Sequence, residues 1–118
     1  MKRILVIDDD YDIGEIVQMA LSQKYKVLAR KDANDLLEVI NSFKPDLMLI
    51  DNYVGHTRAS DIISEIRSLK LNNAIPFVLF SAHQDVANIA KQLNANSYIS
   101  KPFGLSDLHS RIEEVLSR

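Results

Sequence analysis

Five polar side chains in this sequence follow short apolar runs. Asp8 and Asp9 come after Ile4-Leu5-Val6-Ile7, Asp51 after Leu47-Met48-Leu49-Ile50, Ser81 after Phe77-Val78-Leu79-Phe80, and Lys101 just beyond Tyr98-Ile99. Taken singly, each has an ordinary role: an aspartate after a strand caps a helix, a serine makes a turn, and a lysine is solvated. Brought together they would form a site. Ionised carboxylates about 4 Å apart, at an effective dielectric near 20, repel by roughly 4 kcal/mol. A divalent cation relieves that repulsion, and an all-oxygen set of carboxylates with one backbone carbonyl suits Mg²⁺, which accepts further ligands from a phosphate. Beside such a metal, Asp51 could attack a phosphorus atom in line, with Ser81 and Lys101 offering a hydroxyl donor and a positive charge to the transferred oxygens.

This chemistry requires the ends of several strands to meet. Apolar strand candidates at Ile4 to Ile7, Lys26 to Ala29, Leu47 to Ile50, Phe77 to Phe80 and Tyr98 to Ile99 alternate with five helical patterns. The first helix carries Ile13, Ile16, Val17, Ala20 and Leu21 on one expected face; the second carries Ala33, Leu36, Leu37 and Ile40, with Asp32 as expected N-cap and Pro45 soon after its end. The third shows Ile62, Ile63, Ile66 and Leu69, and the fourth Val86, Ile89, Ala90 and Leu93. The fifth has Leu105, Leu108, Ile112, Val115 and Leu116, with Ser106 as expected cap. Short connections between alternating strands and helices force right-handed crossovers, hence a doubly wound, parallel α/β sheet with helices on both faces. In the flavodoxin-like order 2-1-3-4-5, strands one and three lie side by side where the winding reverses, so their C-terminal ends share a crevice. That crevice would hold Asp8, Asp9 and Asp51. Asp10, next in line, reads as the first helix's cap.

Composition narrows the function classes. At 118 residues the chain is one domain by length, able to bury about two thirds of its unfolded surface. Hydrophobic residues at 47% and charged residues at 25% fit a folded soluble protein. A net charge of −2, with basic residues scattered, offers no broad field for nucleic acid, so direct DNA binding is not expected. There is no cysteine, which fits a reducing compartment. The apolar run after Met1-Lys2-Arg3 is too short for a signal h-region, and no run approaches a membrane span. Met1 directly before the first strand reads as a true start. A soluble, cytoplasmic protein is expected.

The four motifs, in order and on the expected elements, resemble the receiver domain of two-component response regulators over essentially the whole chain, residues 1–118. They are Asp8-Asp9 after the first strand, Pro45-Asp46-Leu47-Met48-Leu49-Ile50-Asp51, Ser81-Ala82, and Tyr98-Ile99-Ser100-Lys101-Pro102-Phe103. The resemblance implies that Asp51 is the phosphoacceptor, Asp9 a direct Mg²⁺ ligand and Asp8 a more indirect one, with the Tyr53 carbonyl completing the metal site. It implies that Lys101 pairs with the phosphoryl group, that Ser81 bonds it on arrival, and that the Lys101-Pro102 peptide is cis. The donor would be a sensor histidine kinase or phosphotransfer protein. The domain would catalyse only its own phosphorylation and dephosphorylation. Ser81 and Tyr98 would form the switch, with the surface of the fourth helix, fifth strand and fifth helix, flattened by Ala87, Ala90 and Ala95, acting on a downstream protein or attached output domain. The expected state is a monomer or a weak, phosphorylation-dependent dimer, with no membrane partner.

Two departures stand out. Where the family usually carries a proline four residues and a glycine eight residues after the phosphoacceptor, this chain has Gly55 and Ala59, so the loop from Asn52 to Ala59 is expected to differ most. Tyr53 and His83, each two residues beyond a site residue, occupy positions that tune acyl-phosphate hydrolysis in the family; they either shield the phosphoryl group from water or point into solvent. Two alternatives remain. One is an unphosphorylated receiver-like interaction module. The other is a haloacid-dehalogenase-like phosphatase using Asp8 as nucleophile and Asp10 as general acid, against which Asp12 occupies a position where that family wants threonine or valine, and no acidic motif follows Lys101. A flavodoxin is excluded, because no Ser/Thr/Gly-rich phosphate loop follows the first strand.

Overall fold

The computed structural model describes residues 1–69 and 74–118. In chain order its elements are β1 (Arg3–Ile7), α1 (Tyr11–Leu21), β2 (Lys26–Arg30), α2 (Leu36–Phe43), β3 (Leu47–Asp51), β4 (Tyr53–Val54), β5 (Thr57–Arg58), α3 (Ala59–Ser68), β6 (Phe77–Ser81), α4 (Val86–Leu93), β7 (Ser97–Ser100) and α5 (Leu105–Leu116). Five strands pair in parallel in the order β2-β1-β3-β6-β7, which is the expected 2-1-3-4-5 winding. β4 and β5 form a separate antiparallel hairpin that the sequence pattern did not announce.

The inner strands are continuously apolar because both faces of the sheet are covered. Alternation divides each strand between two cores. Leu5, Ile7, Met48, Ile50, Phe77 and Leu79 pack with Leu36 and Ile40 of α2, Ile62, Ile63 and Ile66 of α3, and Val86 and Ala90 of α4. Ile4, Val6, Leu47, Leu49, Val78 and Phe80 pack on the opposite side with Val17 and Leu21 of α1 and Leu108, Ile112 and Val115 of α5. Leu47 to Ile50 are wholly buried. At roughly 1.5–3 kcal/mol per buried large aliphatic side chain, β3 is firmly held, and so is the position of Asp51 at its end.

Several local expectations are corrected. Asp32 does not cap α2: its Oδ1 accepts the Asn34 N–H at 3.0 Å, closing a local turn, and the helix starts at Leu36 behind an Asp35 with φ +54°. Ala33 is thus outside the helix. Ser106 lies in the first turn of α5, not before it; Gly104 holds the N-cap position and its carbonyl accepts the Leu108 N–H at 3.1 Å. Leu105 is consequently exposed on the leading edge. Ile16 is 47% exposed, because the buried side of α1 centres on Gly14, Val17 and Leu21. Gly14 faces Ala29 of β2 on this buried side: a Cβ there would lie 3.6 Å from the Ala29 Cβ, an ordinary contact distance. Ala90 is buried against the sheet and does not contribute to the outer surface of α4. Asp10 does cap α1, its Oδ1 accepting the N–H groups of Asp12 and Ile13 at 3.0 and 3.3 Å. The helical segments, the longest being the 12-residue α5, include none long and apolar enough to cross a membrane among the described residues.

Candidate functional site

At the C-terminal ends of β1, β3, β6 and β7 the sheet gathers the five predicted side chains. Asp8 continues the β1 ladder by one residue, its N–H donating to the Arg30 carbonyl at 3.0 Å. Its carboxylate is buried; Oδ1 accepts the Asp10 N–H at 2.9 Å and Oδ2 accepts from the Lys101 ammonium at 2.9 Å. Asp51 ends β3. Its Oδ1 accepts the Asn52 N–H at 3.0 Å and lies 3.3 Å from the Lys101 Nζ. Lys101 therefore bridges two carboxylates from strands that are neighbours only because the winding reverses between them.

The placement of Lys101 follows from packing. Its N–H donates to the Ser81 carbonyl at 2.9 Å, extending the β6–β7 ladder, and its Nζ lies 4.4 Å from the centroid of the Phe80 ring, a cation–π contact. Phe103 packs against the same ring at 6.1 Å between centroids. The Lys101-Pro102 peptide is cis. Ser81 ends β6, almost wholly buried, and its Oγ accepts the His83 N–H at 3.0 Å. That bond uses the hydroxyl oxygen and leaves its proton to donate.

Ligand oxygens of Asp8, Asp9 and Asp51 lie within 4.8 Å of one another. Three carboxylates face one ammonium, an excess of negative charge that shows in Asp51. Burial, then the charge of Asp8, push its pKa up to about 6, while Lys101 and the Asn52 N–H pull the other way. The donor set is all oxygen, clustered and short of positive charge, so it fits a hard divalent cation such as Mg²⁺. Asp9 is exposed, leaving the outer side of the cluster open. Asp10, whose carboxylate is committed to the α1 N-cap, is poorly placed as the general acid of a phosphatase.

The remaining expected residues lie around this core. Tyr53 stands on β4, 49% exposed, with the Arg58 guanidinium 6.0 Å from its ring centroid. His83 is exposed, and its Nδ1 accepts the Asp85 N–H at 3.0 Å at the start of α4. Tyr98 is half-buried on edge strand β7, with the Arg111 guanidinium of α5 5.0 Å from its ring centroid. Sequence reasoning missed Arg58, Arg111 and the role of Phe80. The hairpin that carries Arg58 has strands of only two residues on either side of Gly55-His56, too short to show a strand pattern in the sequence.

Comparison with known proteins agrees with this arrangement. Residues 4–113 match the family model of the response regulator receiver domain. The transcriptional regulatory protein KdpE of Staphylococcus aureus is 33% identical over 116 residues, covering 96% of this chain and 49% of that protein. The chain spans about half the length of the curated relatives it matches. Among solved structures, the N-terminal domain of the nisin resistance regulator NsrR superposes with a TM-score of 0.86 at 26% identity, over 98% of both chains. The response regulator protein TrrA of Thermotoga maritima, solved in complex with Mg²⁺-BeF, has a TM-score of 0.81 at 24% identity, over 98% of this chain and 99% of that one. The chain belongs to the response regulator receiver domain family.

Proposed function

We propose that Asp51 accepts a phosphoryl group from the phosphohistidine of a sensor histidine kinase or phosphotransfer protein, and that the phosphorylated domain acts on a downstream protein or an attached output domain. The observation that carries this reading is the placement of Asp51 at the end of a wholly buried strand, against Asp8 and a lysine ammonium it shares with Asp8. An Asp51 oxygen attacks phosphorus in line; the new O–P bond forms as the P–N bond breaks, its electron pair returns to the ring nitrogen, and the proton already on the other ring nitrogen makes the leaving group a neutral imidazole. With a pKa near 6, Asp51 is largely ionised at pH 7 and above, so the nucleophile is in the reactive form. Asp8, Asp9, Asp51 and the Tyr53 carbonyl would hold Mg²⁺, which supplies charge neutralisation between the carboxylates and the incoming phosphoryl oxygens.

Once phosphorylated, Asp51 no longer offers Lys101 a full carboxylate, and the ammonium turns to the phosphoryl oxygens. Ser81 donates its free hydroxyl proton to the same group. Movement of Ser81 opens space that Tyr98, on the adjacent strand, fills, and the face of α4, β7 and α5 carries the change outward. The cytoplasm is the compartment proposed, with a monomer or a weak phosphorylation-dependent dimer as the functional state. The test is incubation with acetyl phosphate and Mg²⁺ followed by intact mass measurement. Wild type should gain one phosphoryl group and Asp51→Asn none; a gain that survives Asp51→Asn defeats the assignment.

A further inference from the structure

The segment that departs most from the family pattern forms an ordered element beside the site. Pairing in the β4–β5 hairpin joins Tyr53 to Arg58 and Val54 to Thr57, and the Ala59 N–H donates to the Asn52 carbonyl at 2.8 Å. In an antiparallel ladder, hydrogen-bonded and non-hydrogen-bonded pairs alternate. Asn52–Ala59 is bonded and Val54–Thr57 closes the turn, so Tyr53–Arg58 is the pair whose backbone groups face away from each other. The Asn52 N–H points across to the Phe80 carbonyl of β6, at 3.3 Å. As a member of the non-hydrogen-bonded pair, Tyr53 directs its carbonyl away from β5, which leaves that oxygen free for a ligand.

The same element fixes this orientation in two further ways. Val54, next to the turn, and Ala59, the first residue of α3, are both buried in the core. The turn needs positive φ at Gly55 and not at His56, the pattern of a type II′ hairpin, with Gly55 at +64°. Across the open, non-hydrogen-bonded pair, the Arg58 guanidinium sits over the Tyr53 ring. A proline at position 55 would fix φ near −65° and could not make this turn. The glycine in its place is what makes the hairpin possible.

We infer that the β4–β5 hairpin aims the Tyr53 carbonyl at the metal, with Gly55 and Arg58 as positioning residues. This rests on the reading of Asp8, Asp9 and Asp51 as a Mg²⁺ site. A hairpin that opens part of the time lowers the fraction of protein competent to bind, and the apparent Kd rises by the inverse of that fraction. Substituting the Gly55 turn position carries backbone strain that weakens Mg²⁺ binding about tenfold. Removing one exposed cation–π pair weakens it about twofold to threefold.

Mg²⁺ titration of the 118-residue chain by calorimetry, with melting in EDTA as the folding control, tests this. Arg58→Ala should bind severalfold more weakly, Arg58→Lys should recover most of the loss, and Gly55→Val should be weaker than either. Tyr53→Ala, which keeps the carbonyl and deletes the ring, should match Arg58→Ala, and the double variant should lose nothing further. Wild-type binding with Arg58→Ala unchanged overturns the inference even if Gly55→Val fails to fold. Absence of Mg²⁺ binding by wild type overturns the metal reading itself, and the positioning role falls with it.

Discussion

Replacing Asp51 with asparagine should stabilise the metal-free protein. Asp51 ionises near pH 6 in the folded state against 3.8 ordinarily, first because it is buried and second because Asp8 lies beside it. A carboxylate whose folded pKa is raised favours folding most below its unfolded value, and that advantage is lost as pH rises from about 4 through about 6. Above pH 6 the folded chain carries the whole penalty. A shift of roughly two units is worth about 3 kcal/mol at 1.36 kcal/mol per unit. Water reaching the mouth of the site screens part of this, so about 1.5 kcal/mol is expected. For a domain of this size that is roughly 6 °C in Tm.

The assay is thermal or urea unfolding of wild type and Asp51→Asn in EDTA, across pH 4.5 to 8. The asparagine variant should gain little at pH 4.5, the gain should grow to pH 6 and then stay level. Saturating Mg²⁺ should raise the wild type by about 2.7 kcal/mol at a hundredfold excess over Kd, and the variant by much less, so that their order reverses. A variant no more stable than wild type at pH 8, or a gain independent of pH, would refute the account of Asp51 as a carboxylate under strain from its neighbours.

Lys101→Met should lower stability by about 2–3 kcal/mol in EDTA, because the buried Asp8 carboxylate loses its ion partner, and by much less in excess Mg²⁺; urea unfolding in the two buffers measures both. Asp10→Ala should cost about 1 kcal/mol through loss of the α1 cap while leaving phosphorylation by acetyl phosphate intact, an outcome that a phosphatase mechanism through Asp10 does not allow. Tyr53→Asn and His83→Ala should shorten the half-life of the phosphorylated protein, read by mass after removal of the donor; unchanged rates would show both side chains to be bystanders.

Which parts of this molecule were legible in its sequence follows from how far each feature reaches along the chain. Strands buried on both faces write themselves as unbroken apolar runs, and the residue at the end of each run is necessarily the one at the sheet's edge. The positions of Asp8, Asp51, Ser81 and Lys101 are therefore legible in the sequence. The α2 N-terminus misled because Asp32 closes a local turn with the Asn34 N–H, a contact with no periodicity, and the helix begins at Leu36 without a side-chain cap. Ile16 misled because five apolar positions on α1 exceed what one helix face can bury, and the buried side centres on Gly14, Val17 and Leu21. The hairpin escaped because two-residue strands show no alternation, and the Tyr53–Arg58 pair exists only once the register is known.

The arrangement around Lys101 bears on how steeply the proposed switch can respond. Its ammonium is divided between Asp8 at 2.9 Å and Asp51 at 3.3 Å, so phosphorylation does not create a new ion pair from a solvated lysine but exchanges one partner of an existing set. Two charge-assisted bonds, from Lys101 and Ser81, are worth roughly 3–6 kcal/mol, against about 5.5 kcal/mol for a swing from 1:99 to 99:1. The lysine's contribution is reduced by what it gives up at Asp51, leaving Ser81 and the hydroxyl proton it holds free as the larger source of bias. Ser81→Ala should thus keep the phosphoryl group but lose most of the conformational response, whereas a threonine there, with the same donor, should retain it.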